Sequence, residues 1–596
     1  PYANDRGAAA RALLALQAVV ESSSSPTRGM SAAMLREASI IRLEAATLFS
    51  LQDATTGSSP GFRAEVDRRT TVLNARAERA IALAEVAVAI DVAAPGSRLI
   101  PFEGTTWENR DIDRQLPDQL ELPLHVERRA VPGEHEPVSI KIFNASLDTL
   151  RVSAKAESQR HGPSVVIHEV LPVPTNVGTI AWDPVSPLGS GKVSVPPLET
   201  REVWVDIDLT GVSAGSYTVD VLLKAGREKS RVSIDLDVLS FEMAGFGAMR
   251  LCGWATYGDE AVADYLAHGG NVFIAGLPPA TVSESDPVQI DLDYTDLDEF
   301  LARIEGYDVF LLMNGMPSVG VPEDDDSYVS RLRMYLEQLF AHLETRGISS
   351  ENVALYPHDE PGGHGWNTVN HYVKWAKLGL EAMPELRFYV NGGGDLPMFE
   401  ALNEVASVWC PGYYMLIDDK PEMNYLRASN KTLWTYDCGY AYARPIGANT
   451  KTINVAGQYR MAAPFGHALG ATGIGYWSYN IGESMWNQVT HEYPLVYVDD
   501  EKRHTSSRRW EAVREGMEDT RIIIKLRESL NDPTVDESVK TKIWRFLDET
   551  LEPFARQSIT EVQFGLGRYV LDATNSDATV DAFRQEMLDC VKLVSE

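Results

Sequence analysis

Two adjacent carboxylic acids, Asp359 and Glu360, are the residues of this sequence best placed for acid/base chemistry. They follow the apolar run Val353-Ala354-Leu355-Tyr356, which reads as a buried strand, and Pro361 stops that strand directly after them. Gly362, Gly363 and Gly365 come next, so the pair sits where a strand gives way to a loop. Where parallel strands alternate with helices, such exits line the catalytic face of the sheet. The competing reading is a solvated loop whose aspartate caps the next helix.

Composition narrows the partners. With 596 residues the chain exceeds what one core can serve, and the usual domain size divides it into about three or four units. A formal net charge of −31 argues against nucleic acid or anionic lipid, since a polyanionic surface repels phosphate at long range. A neutral or weakly charged ligand fits better. Cys252, Cys410, Cys438 and Cys590 lie far apart, with no CxxC pair, so neither a disulfide framework nor a zinc site is expected. The longest nearly apolar segment, residues 80–95, carries Glu85 and Asp91 and is too short and too charged for a membrane span. The sequence starts at Pro1, which leaves open whether a leader has been removed.

Four regions follow from the patterning. Residues 1–95 are rich in Ala, Arg, Glu and Leu, with helical periodicity over 8–20, 31–51 and 62–92; a small helical bundle is expected, with a coiled-coil oligomerisation arm as the alternative although no strict heptad persists for long. Residues 96–244 alternate apolar with polar side chains in short runs at 137–143, 149–156, 164–170, 203–209, 216–223 and 230–238, the pattern of an immunoglobulin-like β-sandwich. From 245 to 530 the rhythm becomes apolar strand, then amphipathic helix. Strands are expected at 248–253, 271–275, 308–313, 353–356, 387–391, 405–410, 432–436 and 473–477, which is a (β/α)8 TIM barrel. An open doubly wound sheet would call for a GxGxxG fingerprint, and the sequence has none. Residues 508–596 are mainly helical: the first part closes the barrel, and 531–596 form a C-terminal helical segment.

A barrel would gather the strand ends at one mouth. These are Arg250 and Trp254 after the first strand, Asp359 and Glu360 after the fourth, and Asn391 after the fifth. Tyr413, Tyr414, Trp434, Tyr436 and Asp437 come from the sixth and seventh, and Tyr476, Trp477, Tyr479 and Asn480 from the eighth. Aromatic faces stack on the C–H face of a pyranose while carboxylates and amides take its hydroxyls, so the constellation points to sugar. For Trp434 a core-filling role stays open, and for Arg250 an internal ion pair. His358, His364 and His371 match no metal-ligand spacing, and neither metal nor cofactor is expected. Asn391-Gly392-Gly393-Gly394-Asp395 lacks a helix-opening lysine, so a loop of close backbone approach is expected there, not a phosphate cradle.

The order of sandwich and barrel, the Asp359-Glu360 pair and the tail Ser507-Arg508-Arg509-Trp510-Glu511-Ala512-Val513-Arg514-Glu515-Gly516-Met517-Glu518-Asp519 together resemble glycoside hydrolase family 123. The resemblance covers roughly residues 119–530 and leaves the N-terminal helices outside. It implies β-N-acetylgalactosaminidase or wider N-acetylhexosaminidase activity by a substrate-assisted retaining mechanism. There the acetamido oxygen of the substrate attacks its own anomeric carbon. Glu360 would protonate the departing oxygen and later deprotonate water, and Asp359 would hold the acetamide N–H. By position alone, Tyr436 is assigned to the acetamido carbonyl and Trp477 to the floor of the sugar.

Two alternatives remain open at this stage. One is a conventional retaining glycosidase with Glu360 as acid/base and Asp437 as nucleophile, a pair that would need about 5 to 5.5 Å between carboxyl groups. The other is a carbohydrate-binding barrel without catalysis. Either way the partner is an oligosaccharide or glycoconjugate, and a polymeric substrate of that kind places the protein outside the cytoplasm, secreted or periplasmic.

Overall fold

The computed structural model describes residues 9–18, 29–53, 59–117, 120, 122–175, 178–189, 191–255, 258–282, 289–416, 421–437, 451–481, 486, 493–562, 568–571 and 577–596. The chain divides into two compact units, one of Pro1–Thr106, Asp111–Val170 and Ser186–Val238, the other of Trp107–Arg110, Leu171–Val185 and Leu239–Glu596.

In the first unit, helices run over residues 9–18, Gly29–Asp53 and Pro60–Ala93. The last begins where Ser59 accepts a hydrogen bond from the Phe62 N–H and Pro60 supplies a ready-made helical φ. Val66, Leu73, Ala77, Ala80, Ala84, Ala87 and Ile90 recur at three- and four-residue spacing and bury one stripe. Arg76 reaches across to Glu37 (2.5 Å) and Glu44 (3.0 Å) and so pins this helix to Gly29–Asp53. The helical core continues into Ile100, Phe102, Phe143 and Leu198, so the helices rest on the β-layer and share its unit.

That layer is a two-sheet sandwich. His135–Asn144 pairs antiparallel with Leu99–Glu103 and Thr200–Asp208. In the facing sheet Leu124–Ala130 runs parallel to Glu228–Val238, which pairs antiparallel with Gly215–Ala225. Val138, Ile140 and Ile142 face Val219, Val221 and Leu223 in one core, the period-two burial that the sequence displays. The expected strands are present; Leu99–Glu103, Leu124–Ala130 and Lys192–Val195 were not expected, being short or broken by charge.

The second unit carries the parallel strands β1 (Arg250–Gly253), β2 (Val272–Gly276), β3 (Phe310–Asn314), β4 (Val353–Tyr356), β5 (Tyr389–Asn391), β6 (Val408–Cys410), β7 (Thr432–Leu433 and Thr435–Asp437) and β8 (Gly473–Tyr476). Each overlaps an expected strand. They form a six-stranded sheet, β4-β3-β2-β1-β8-β7, and a three-stranded one, β5-β6-β7. This is less than the expected continuous barrel. The sheets adjoin at two isolated parallel bridges, Leu355 to Phe388 and Gly412 to Tyr436. Helices α1 (Tyr328–Thr345) and α2 (Trp366–Ala382) follow β3 and β4. Apolar side chains from successive strands, among them Cys252, Leu312, Ala354, Tyr389, Val408 and Cys410, fill one core. Burial pushes the Cys252 thiol well up and the Cys410 thiol to about 12. From Arg508 onward the described residues are mainly helical as expected, apart from the hairpin Ile559–Val562 with Arg568–Leu571.

Helix α3 (Arg508–Ser529) is buried at every residue from Arg508 to Thr520, although half of these are charged. Ion pairs join Arg509 to Asp183 (3.0 Å), Arg514 to Glu511 (2.6 Å), and Glu515 and Asp519 to Arg460 (3.4 and 3.3 Å). The Gly516 Cα lies so close to the Arg460 carbonyl that any Cβ would strike it. His268 is buried among these groups, with Nδ1 on the Asp264 carbonyl (2.8 Å), Nε2 on Glu511 (3.2 Å) and its ring stacked on Trp510 (4.9 Å between centroids). Burial alone would lower its pKa, but Asp264 and then Glu511 outweigh it and raise the value above the ordinary 6.5.

A histidine whose folded pKa is raised stabilises most below its unfolded value, and the contribution fades as pH rises through the folded one. The thermal stability of the wild type should therefore fall as pH rises above about 6.5, and His268→Gln should flatten that slope while costing about 3 kcal/mol. An unchanged slope in the variant would show that His268 is not charged in the folded chain.

Candidate active site

Asp359 and Glu360 leave the end of β4 in a tight turn. Glu360 has φ of 42°, in the left-handed region, where a non-glycine residue costs roughly 1 kcal/mol. That kink breaks the strand alternation that would otherwise send neighbouring side chains to opposite faces. Its carbonyl accepts from the Gly363 N–H (2.9 Å), closing the turn that Pro361 and the glycines permit.

Asn391, at the end of β5, holds both acids. Its Oδ1 accepts from the Glu360 backbone N–H (2.9 Å), and its Nδ2 donates to Asp359 Oδ1 (2.7 Å) and to the Tyr356 hydroxyl (3.1 Å). Tyr356 in turn donates to the same Asp359 oxygen (2.5 Å). Tyr436, on β7, donates its hydroxyl to Glu360 Oε1. Burial, with the Asp359 charge second, pushes the Tyr356 phenol far up, so it stays a donor at any ordinary pH. The shown partners of Asp359 are Tyr356 and Asn391, and among the described residues it lies in no ion pair.

Above this group the rings of Tyr436, Trp254 and Trp477 run in sequence, with centroids 5.6 Å and then 6.5 Å apart. Trp254 is buried, while Trp477 is 39% exposed and offers a free apolar face. Acids, amide, phenol and exposed indole thus come together from β1, β4, β5, β7 and β8. This suits one polar ring that has an apolar face.

Four expected positions lie elsewhere. Arg250 is the first residue of β1, at the far end from the acids, and its guanidinium binds Asp308 (3.1 Å) and Asn352 (3.2 Å) ahead of β3 and β4. The internal ion pair is the correct reading. Trp434 is buried in the core, edge-on to Phe310 (5.0 Å) and against Gly473, because the break between the two pieces of β7 turns it inward. Tyr479 is fully buried behind β1, its hydroxyl on Asp264 (2.6 Å) beside Trp510. Asn480 is also buried, and among the described residues no hydrogen bond joins it to either acid. The Tyr414 side chain lies outside the described residues.

Asp437 neighbours Tyr436 on β7 and faces the other way. Burial raises the phenols of Tyr413, Tyr459 and Tyr476, and the Asp437 charge adds to the rise in each. Since Tyr436 is the residue turned towards Glu360, strand alternation directs Asp437 away from the acid that it would have to oppose as a nucleophile. Among the described residues no group of three or more His, Cys, Asp or Glu side chains is arranged to hold a metal ion.

One contributor, Tyr356, escaped the sequence reading. Tyr356 looked like the last apolar residue of a strand, and only its three-residue lead over Asp359 could have marked it. Gly392 has φ of 91°, and a Cβ there would lie 2.8 Å from the Glu360 Cβ. A Cβ at Gly362 would collide with the Gly393 carbonyl. The glycine run after β5 is therefore a backbone surface pressed against the acid-bearing turn, as its composition suggests. Gly392→Ala should shift Glu360 off Tyr436 in a crystal structure and cost about 1–3 kcal/mol of stability. An undisturbed Glu360 in that variant would dismiss the contact.

No protein-family model matches the chain, and no curated protein does. Among solved structures the chain is similar to a family 123 glycoside hydrolase from Clostridium perfringens, studied for glycolipid glycan hydrolysis. The TM-score is 0.60 at 12% identity, over 83% of this chain and 98% of that one. Lower similarity extends to a GH10 xylanase with a bacterial Ig-like domain from termite gut (TM-score 0.31, 10% identity, 66% and 99% covered) and to a β-glucuronidase of an uncultured Clostridium (0.28, 11%, 65% and 67%). Sandwich and parallel strands together follow the fold of the family 123 enzyme.

Proposed function

We propose that this protein is a glycoside hydrolase of the family 123 type, a retaining β-N-acetylhexosaminidase or β-N-acetylgalactosaminidase that uses the acetamido group of its substrate as nucleophile. The observation that carries this is the Asn391 side chain, which binds the Asp359 carboxylate and the Glu360 backbone at once. Two neighbouring acids are thereby fixed in different directions in one hollow. We take the eight parallel strands as one (β/α)8 barrel; the two bridges that span the gaps between its sheets support this.

In this mechanism each residue has a distinct part. Glu360, hydrogen-bonded to Tyr436, delivers a proton to the departing glycosidic oxygen and then takes one from water. Asp359 already accepts two hydrogen bonds on one oxygen and has the other for the acetamide N–H of the substrate. Holding that amide aims its carbonyl oxygen at the anomeric carbon and balances the positive charge of the cyclic intermediate. Trp477 supplies the apolar face. The fold likeness to an enzyme described as acting on glycolipid glycans favours a glycoconjugate substrate, and with it a secreted or periplasmic location.

A conventional retaining mechanism needs a second carboxylate facing Glu360, and Asp437 is turned away. Aryl β-glycosides with and without a 2-acetamido group separate the two. Glu360→Gln and Asp359→Asn should each lower kcat/KM on 2-acetamido substrates by about 10²- to 10⁴-fold. Asp437→Asn should leave it within a few fold, and sugars lacking the acetamido group should not turn over. Comparable rates on both kinds of sugar would overturn substrate assistance. Saccharide binding without any product would replace the hydrolase by a binding barrel.

A further inference from the structure

A chain of side chains reaches the acid-bearing turn from the helix layer. His358 directly precedes Asp359, and its Nε2 lies 3.0 Å from Nδ1 of His371 on α2. His371 Nε2 lies 3.2 Å from Oε1 of Glu323, in the segment between β3 and α1. Lys374, one turn along α2, binds the other Glu323 oxygen at 3.0 Å. Three segments far apart in sequence are thus joined at the residue before the acids. The mechanism derived above uses none of these groups.

We propose that His358, braced through His371 on Glu323, is a positioning residue for Asp359 and Glu360; this rests on the glycosidase reading. Asn391 ties the turn to the neighbouring strand, and the imidazole pair ties it to α2. The hydrogen-bond order follows from the ends of the chain. Glu323 only accepts, so His371 carries its proton on Nε2 and leaves Nδ1 bare. His358 must then donate from Nε2. Burial is the largest influence on His358 and, with His371 and His364 nearby, lowers its pKa, so the His358 ring is neutral at ordinary pH. Lys374 and His371 outweigh the burial of Glu323 and keep its carboxyl below the usual range, which preserves the acceptor.

Acid reverses the direction of the brace. One added proton, entering at His358 Nδ1 while the Nε2 proton passes across to His371 Nδ1, would leave a single positive charge on the pair beside Glu323 and a His358 that accepts. The His358 nitrogen away from the brace then carries a proton it lacked, one residue from Asp359. Glu323, Lys374, His364 and the Tyr372 ring are the other titratable groups shown around the pair.

The test compares His371→Leu, which removes the acceptor, with His371→Asn, whose side-chain oxygen can stand near Nδ1 but does not titrate. On a 2-acetamido aryl glycoside His371→Leu should lower kcat about tenfold with KM little changed. His371→Asn should recover most of kcat and lose one ionisation from the acid limb of the pH profile. Wild-type kcat and profile in His371→Leu would overturn the proposal. If the wild type cleaves no glycoside, the hydrolase reading fails by itself, and the brace is judged on the ring nitrogens of His358 by ¹⁵N NMR. A protonated Nε2 whose signal changes in His371→Leu supports it, and an indifferent signal refutes it.

Discussion

One carboxamide sets the geometry on which the rest of the site depends. Adjacent residues on a strand diverge, so two consecutive acids can share a hollow only if the backbone between them is bent and kept bent. The left-handed φ of Glu360 is that bend, and Asn391 stabilises it by accepting the Glu360 N–H while donating to Asp359. A buried amide that meets three partners in fixed directions tolerates little rotation. Orientation is therefore built before any ligand arrives, which is how a site lowers the entropic part of a barrier. Gly392 allows β5 to come near enough for the amide to reach, and Tyr436 takes the remaining carboxylate.

The two ends of the parallel strands do different work. At the exits of β4, β5 and β7 lie the acids with their hydrogen-bond partners; ahead of β1, β3 and β4, Arg250, Asp308 and Asn352 link neighbouring strands. Behind them α3 carries a buried row of charges, each of which would be costly alone. Asp183, Arg460 and His268 neutralise it from three other segments. A wrong register of α3 would strand several charges in the interior at once, so these pairs select one arrangement more than they add net stability.

Strand and helix positions were largely legible because burial imposes its period directly: Val353-Ala354-Leu355-Tyr356 has no other reasonable fate. The acid pair was legible for a similar reason, since Pro361 and the glycines mark the strand exit in plain composition. Direction of side chains was not. Arg250 and Trp254 stand four residues apart yet sit at opposite ends of one short strand, and a strand boundary uncertain by two residues cannot tell those ends apart. Trp434 and Tyr479 were misplaced by the same uncertainty, for an aromatic ring near a strand end reads alike whether it faces a ligand or a core. The Arg-Trp-Glu tail marked the right fold although its residues brace the scaffold, Arg509 on Asp183 and Glu511 on His268.

Cys252, Cys410 and Cys590 are all buried, and their thiols are pushed towards high pKa by burial. A protonated thiol is a poor nucleophile, and a buried one seldom meets a disulfide or peroxide. For these three positions, then, the folded chain should be insensitive to whether its surroundings oxidise or reduce.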